Sequence, residues 1–245
     1  MSATGDRATH LVRQAMGDRA FRGAWRHLER RLDRYVDEII RVTEIPAPPF
    51  GEAERARYVA GRLRGMGLTS VDIDGAGNVV ARWPVQDVPA GTAGPPAGTK
   101  GATRAPAAAA APGPAKTATA PAPVVISAHL DTVFPPGTPV RVRRLGSRLY
   151  APGIGDNASS VACLLMLAEA LAATGFSPCL PVVWLFNTGE EGLGNLRGMR
   201  HFLDTLPRPP AAVLVVDGGL GMISYRGIGS RRLRAVFAGP GGHSW

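Results

Sequence analysis

Histidine and carboxylate residues follow three apolar segments of this sequence, at the point where each segment ends. They are His129 and Asp131 after 124–126, Glu190 and Glu191 after 182–186, and Asp217 after 213–216, with Asp156 in a glycine-flanked stretch between the first two segments. If the three segments are parallel strands, their carboxyl ends meet at one rim of an open α/β sheet, where ligands bind. We therefore predict that these side chains converge.

These residue types are ligands for divalent metal ions, which need neutral imidazoles and deprotonated oxygens. Glu190 and Glu191 are adjacent and cannot easily share one role, so we expect one to bind metal while the other accepts a proton from water activated by metal. Asp131 is placed to hold the imidazole of His129. Taken singly, each signal is weak, because Asp156 could be a helix N-cap and the glutamate pair a solvated loop. Their joint occurrence favours a metallohydrolase.

The elements that would position these residues alternate between strands and helices. Apolar residues at helical spacing predict a helix over 21–45, a second helix opening at Gly51–Glu52 with acids in its first turn, and a third over 157–174. The remaining predictions are strands at 70–73, 78–83, 182–187 and 211–216, a strand that starts at Pro123 and contains the apolar residues 124–126, a hairpin of 140–144 with 148–150, a helix at 195–206, and more alternating strands at 222–226 and 232–238. Near-continuous apolar strands between helices predict an α/β fold, with a mostly parallel sheet covered on both faces.

Composition excludes several classes of function. The chain has 245 residues, 45% of them hydrophobic, and a formal net charge of +9 that comes almost entirely from scattered arginines. Without a basic and aromatic platform, this charge favours a solvated surface over nucleic-acid binding. Cys163 and Cys179 form no disulfide framework. The first 20 residues lack a signal-peptide core and no run approaches membrane-spanning length, so we expect a cytoplasmic protein without a membrane partner.

Two segments differ from the rest of the chain. Residues 1–20 are polar and are predicted to be a flexible N-terminus. Residues 85–122 consist mainly of Ala, Pro, Gly and Thr without periodicity, which predicts a disordered insertion within the domain.

Four motifs together resemble a metallopeptidase family, the one that contains peptidase T, carboxypeptidase G, aminoacylase and acetylornithine deacetylase. They are SAHLDTV (127–133), YAPGIGDN (150–157), NTGEEG (187–192) and VDG (216–218). The resemblance implies a three-layer sheet of the zinc-peptidase type, two zinc ions (with Mn²⁺ or Co²⁺ as alternatives), and a small peptide or N-acyl amino acid as the substrate.

The resemblance also implies a role for each site residue. His129 and Asp217 would bind one zinc ion, Glu191 the second, and Asp156 both, with a cis peptide after Asp156. Glu190 would be the general base and Asp131 would orient His129. His243, in the motif GPGGHS (239–244), would polarise the substrate carbonyl from a lid domain, often across a dimer interface.

The sequence departs from the family at its C-terminal side. The family's last metal ligand is a histidine beyond the lid, and no residue here can fill that role. We therefore expect a C-terminally truncated chain, with a catalytic domain at 21–227 and the start of an α+β lid and dimerisation domain at 228–245. A homodimer is the expectation for a full-length form.

Several functions stay open at this point. An aspartate at position 217 favours a peptidase T-like aminopeptidase over an N-acyl amino acid deacylase or a carboxypeptidase of the same family. A compact zinc aminopeptidase without a lid shares the ligand set but would not need the motif at 239–244. An inactive fragment that acts only as a binding module is the alternative from another class.

Overall fold

The structure, a computed structural model, describes residues 3–83, 121–219, 221–227, 229, 233 and 235–242. The predicted insertion at 85–122 lies outside the described residues except for its last two positions, and His243 lies outside them as well. The helices are α1 (Ala3–Gly17), α2 (Arg19–Glu29), α3 (Leu32–Glu44), α4 (Ala53–Gly65), α5 (Ser159–Ala173) and α6 (Arg197–Thr205). The strands are β1 (Ser70–Ile73), β2 (Val79–Trp83), β3 (Val124–His129), β4 (Arg143–Leu145), β5 (Arg148–Tyr150), β6 (Val182–Asn187) and β7 (Ala212–Val215).

The main sheet has the strand order β1-β2-β6-β3-β7. Strands β6, β3 and β7 are parallel, while β2 is antiparallel to both β1 and β6. The sheet is therefore mixed, although four of its five strands run in one direction. Because β3, β6 and β7 are parallel neighbours, the loops that follow them all leave the same edge.

Helices cover both faces of this sheet. Along β6, Trp184 and Phe186 pack in the larger core with α3, α4 and α5. Val183 and Leu185 point to the other face and pack with Phe202 of α6. The alternation follows from the two-residue period of a strand. It confirms the predicted three-layer α/β fold.

The structure differs from the sequence predictions at both ends of the chain. The helix predicted over 21–45 is two helices, α2 and α3, because Arg31 between them has a non-helical backbone (φ −128°, ψ 25°). Residues predicted as a flexible N-terminus include the exposed helix α1. Within the described part of 222–238, the predicted strands are absent. No neighbouring strand is described there to satisfy their backbone groups, and their large apolar side chains are exposed.

One helical stretch meets the criteria of length and composition for a membrane span. It covers Ile154–Ala173, with a mean hydropathy of 1.3, which corrects the expectation that no run is long enough. More than half of it is buried inside the protein (56%), and its residues Val161, Leu165 and Ala168 belong to the larger core. Its apolar character is therefore that of a core helix.

Candidate metal centre

The imidazole of His129 lies at the end of β3, almost fully buried (2% exposed). Its Nδ1 is 2.9 Å from the backbone oxygen of Asp131. A carbonyl oxygen can only accept, so Nδ1 carries the hydrogen and Nε2 faces the neighbouring carboxylates. A hydrogen bond at the second ring nitrogen is what orients a metal-binding histidine.

Asp156 lies on an irregular turn, Ile154–Ala158, that leads into α5. The turn begins after Gly153, which has a φ of +71° and packs so closely on Thr132 that a Cβ would lie 2.6 Å from its methyl group. The Asp156–Asn157 peptide is cis, as the resemblance implied. The Asn157 amide donates to the backbone oxygen of Val216 at 3.0 Å, which ties this turn to the end of β7. The Asp156 carboxylate is left open, with 63% of its side chain exposed.

The predicted ligands converge at this edge of the sheet. Single donor atoms of His129, Asp156 and Glu191 lie within 4.8 Å of one another. His129 Nε2 is 3.0 Å from Asp156 Oδ1 and 3.7 Å from Asp217 Oδ1. The structure thus brings all four residues together, and their roles as ligands stay predictions.

Asp131 contacts both His129 and the glutamate pair. Its carboxylate is fully buried and accepts the backbone N–H groups of Glu190 at 3.0 Å and of Glu191 at 2.8 Å. Its nearer approach to the imidazole is Oδ1 at 3.7 Å from His129 Nδ1, beyond hydrogen-bond distance. The backbone carbonyl of Asp131 therefore orients His129, while the carboxylate orients the glutamate pair.

The site carries an excess of negative charge. Although burial lowers the pKa of His129, the nearby Asp131 and Asp217 outweigh burial and raise it to about 11. Burial raises the pKa of Glu190, with His129 opposing and the surrounding carboxylates adding to the rise. Burial also raises the pKa of Glu191, followed by repulsion from Asp156. Crowded carboxylates that resist ionisation are stabilised by a bound cation.

The donor set fits a divalent metal on the geometry of this chain alone. One oriented imidazole nitrogen and a carboxylate oxygen from each of Asp156 and Glu191 lie within 4.8 Å of one another. Nitrogen and carboxylate oxygen are ligands that zinc takes. The exposed carboxylate of Asp156 leaves a path from solvent.

Comparisons with known proteins agree with this geometry. The model of Peptidase family M28 matches residues 109–220. The structure is similar to the aminopeptidase PepT from Bacillus cereus ATCC 10987, with a TM-score of 0.50 and 16% identity over 76% of this chain and 43% of that one. The chain has a zinc-peptidase fold.

Two further structures share the zinc-peptidase fold with this chain. A tripeptidase from Staphylococcus aureus subsp. aureus Mu50 has a TM-score of 0.51 and 15% identity, over 76% of this chain and 43% of that one. Human carnosine dipeptidase 1 has a TM-score of 0.52 and 12% identity, over 80% of this chain and 40% of that one. The chain thus spans less than half the length of these structures. No curated protein sequence matches it.

Sequence reasoning missed the buried polar residues that support the site. Arg55 of α4 is 1% exposed and donates to the backbone oxygens of Leu130, Ile45 and Thr43. Burial lowers the pKa of Arg55 to about 10, with Asp131 opposing the shift. Glu52 was interpreted only as an acid that complements the dipole of α4. The structure buries its carboxylate against Arg197. A charged residue amid the apolar stripe of an amphipathic helix was the available signal for Arg55.

Proposed function

We propose that this chain carries the metal-binding part of a metal-dependent hydrolase that cleaves an amide bond in small peptides, in the manner of a peptidase T-like aminopeptidase. The observation that carries the proposal is the convergence of His129, Asp156 and Glu191 within 4.8 Å at the edge of a zinc-peptidase fold. Two of the similar structures are an aminopeptidase and a tripeptidase, and this similarity favours a peptide substrate. N-acyl amino acids are the alternative substrate class.

We assign the metal ligands as the resemblance to the metallopeptidase family implies. His129 and Asp217 would hold one zinc ion and Glu191 a second, with Asp156 between them as the shared ligand. Zinc, when bound, lowers the pKa of water and polarises a carbonyl oxygen. Two ions, and zinc over Mn²⁺ or Co²⁺, belong to the proposal, as do a homodimer and a cytoplasmic location.

Glu190 is the proposed general base. Burial raises the pKa of its carboxyl group, which brings its proton affinity closer to what proton transfer near neutral pH requires. Glu190 would take a proton from the attacking water and pass it to the leaving amine. Because Asp131 binds the N–H groups of Glu190 and Glu191 through one carboxylate, the base and the ligand are held in a fixed relation.

The test measures metal content per chain in the purified protein and in an Asp156→Ala variant, by elemental analysis after exposure to Zn²⁺ and dialysis. The proposal expects about two equivalents in the parent protein, with a sharp fall in the variant. Tripeptides and N-acyl amino acids are then screened for cleavage. A parent protein that retains no metal, or one whose metal content the variant does not change, contradicts the proposal.

A further inference from the structure

The loop that carries the proposed base and ligand, residues 188–191, has each of its backbone N–H groups bound by a buried side chain. The acceptors are Asn78 for Thr188 at 3.0 Å, Glu52 for Gly189 at 3.1 Å, and Asp131 for Glu190 at 3.0 Å and Glu191 at 2.8 Å. The three acceptor residues are at most 4% exposed. Side chains from three distant segments therefore set the course of this loop once β6 has ended.

Among these acceptors, Glu52 stands out because its buried carboxylate does not cap the helix that it precedes. It precedes α4 as the N-cap residue, yet its side chain makes no cap hydrogen bond within the described part of the chain. A carboxylate at 4% exposure carries a large desolvation cost unless it is paired and hydrogen-bonded. The hydrogen bonds of its side chain run to the Gly189 N–H in the loop and to Arg197, the first residue of α6.

Arg197 forms the ion pair with Glu52. Its Nη2 donates to both carboxylate oxygens of Glu52, at 2.7 and 2.9 Å, and its Nη1 donates to the Thr188 hydroxyl at 2.9 Å. The guanidinium carbon also lies 5.1 Å from the centre of the Phe50 ring. Arg197 thus holds the Glu52 carboxylate in place and contacts the loop itself.

The loop backbone lies directly against this pair. Gly189 has a φ of +59°, and a Cβ there would lie 2.6 Å from the Arg197 side chain. The Arg197 backbone N–H donates to the Gly189 oxygen at 3.2 Å, so both the N–H and the C=O of Gly189 are hydrogen-bonded. Glu190 and Glu191 follow Gly189 directly in the chain, so the position of the Gly189 backbone affects theirs.

We propose that Glu52, held by Arg197, is a positioning residue that fixes the Gly189 peptide and thereby aims the Glu190 and Glu191 side chains. This inference rests on the proposed function, because it gives Glu190 and Glu191 their roles of base and ligand. Glu52 touches neither substrate nor metal in this account. It acts through the backbone, where a misplacement of about 1 Å can reduce a rate by about 100-fold.

The test compares Glu52→Ala and Glu52→Gln with a matched control, Glu54→Gln, whose side chain is exposed in the first turn of the same helix. Each protein is loaded with Co²⁺, and its visible absorption spectrum, its kcat and KM for a tripeptide, and its thermal unfolding are recorded. The Gln variant keeps an oxygen that can accept the Gly189 N–H, so it serves as the conservative rescue.

We expect loss of the Glu52 carboxylate to lower kcat. Glu52→Ala should lower kcat by at least about 10-fold, leave KM within about 3-fold, and alter the Co²⁺ spectrum, because the Glu191 ligand is displaced. Glu52→Gln should recover most of kcat and the parent spectrum, and Glu54→Gln should match the parent. Should Glu52→Ala fail to fold, Glu52→Asp takes its place, because its shorter side chain keeps the charge but withdraws the carboxylate from the Gly189 N–H, and it should lower kcat and alter the spectrum relative to Glu54→Gln.

The inference is overturned if Glu52→Ala, or Glu52→Asp in its place, has a Co²⁺ spectrum and a kcat equal to those of Glu54→Gln, whatever its thermal stability. Glu52 would then be a structural residue only. If the parent protein itself binds no Co²⁺, the proposed function fails separately. Amide hydrogen exchange at Gly189 still tests the positioning, since faster exchange in Glu52→Ala supports it and unchanged exchange contradicts it.

Discussion

The carboxylate of Asp131 accepts the backbone N–H of Glu191 at 2.8 Å through Oδ2, while its Oδ1 accepts that of Glu190. Asp131→Asn replaces one of these oxygens with an NH₂ group, which would face an N–H donor. We expect metal affinity and kcat/KM each to fall by about 10- to 100-fold, the effect typical of residues that orient metal ligands. Metal titration and tripeptide kinetics measure the two effects.

Asp72→Asn is the matched control for this substitution. Asp72 lies on β1 with 72% of its side chain exposed, so its change should leave metal affinity at the parent value. Equal metal affinity in Asp131→Asn and Asp72→Asn would show that the loop does not depend on the Asp131 carboxylate.

Glu190→Gln separates proton transfer from metal binding. A carboxamide cannot accept the proton, so kcat should fall by about 100- to 10,000-fold, while the metal content stays at the parent level. Glu191→Gln is the paired variant, and it should lose metal. If Glu190→Gln loses the metal and Glu191→Gln retains it, the roles of the two adjacent residues are exchanged.

The sequence identified the residues that point into the site because their chemistry is unusual for their position. His129, Asp156, Glu191 and Asp217 are metal-type side chains at the ends of apolar strands or at a helix start, and the structure brings them together. The strands that carry them were predictable because their apolar runs are nearly continuous. The order β1-β2-β6-β3-β7 was not, because pairing across the sheet depends on contacts far apart in sequence.

The buried polar residues that hold the site could not be predicted from residue type and position, because their contact partners are distant in the chain. Glu52 and Arg197 are 145 positions apart, and each alone is typical of an exposed helix end. Asp131 was assigned to His129 by its spacing of two residues, but that spacing did not indicate that its carboxylate also binds a loop 59 positions away. Which partner each of these side chains contacts depends on tertiary packing.

Gly198 of α6 allows this helix to approach the loop of residues 188–191 closely. A Cβ at Gly198 would lie 2.1 Å from Asn78 Oδ1 and 2.5 Å from the Thr188 oxygen. Both neighbours are buried, so Gly198→Ala must push α6 away from residues 188–191. We expect a loss of about 1 to 3 kcal/mol in the free energy of unfolding, together with weaker metal binding. Chemical denaturation and metal titration measure these changes.

The matched control is Gly61→Ala on α4. A Cβ there meets no atom within 4 Å, and Gly61 lies inside a helix, so alanine should stabilise the protein by about 0.5 to 1 kcal/mol. Two glycine-to-alanine changes in helices should thus have opposite signs. A stable Gly198→Ala protein with normal metal binding would mean that α6 can shift without disturbing the loop.

Glu169 of α5 contacts three arginines at α3 and α4, and these contacts predict a pH dependence of the free energy of unfolding. Its carboxylate is hydrogen-bonded to Arg31, lies 3.3 Å from Arg34 and 3.4 Å from Arg62, and has a side-chain exposure of 14%. Burial alone would raise its pKa, but these arginines, with His27, lower the pKa below its usual value of 4.5. The folded protein therefore binds this proton less tightly than the unfolded chain.

The sign of the effect follows from that difference. The stability that ionised Glu169 contributes is present above about pH 4.5 and is lost as the pH falls through the lower pKa of the folded state. Glu169→Gln should cost about 1 to 3 kcal/mol at pH 7, as expected for hydrogen bonds to charged groups, and this deficit should shrink between pH 5 and about pH 3. Asp37→Asn, at an exposed position on α3, is the control. Thermal unfolding of the three proteins across this range measures the deficit, and a deficit that stays constant with pH would mean that the charge of Glu169 does not stabilise the fold.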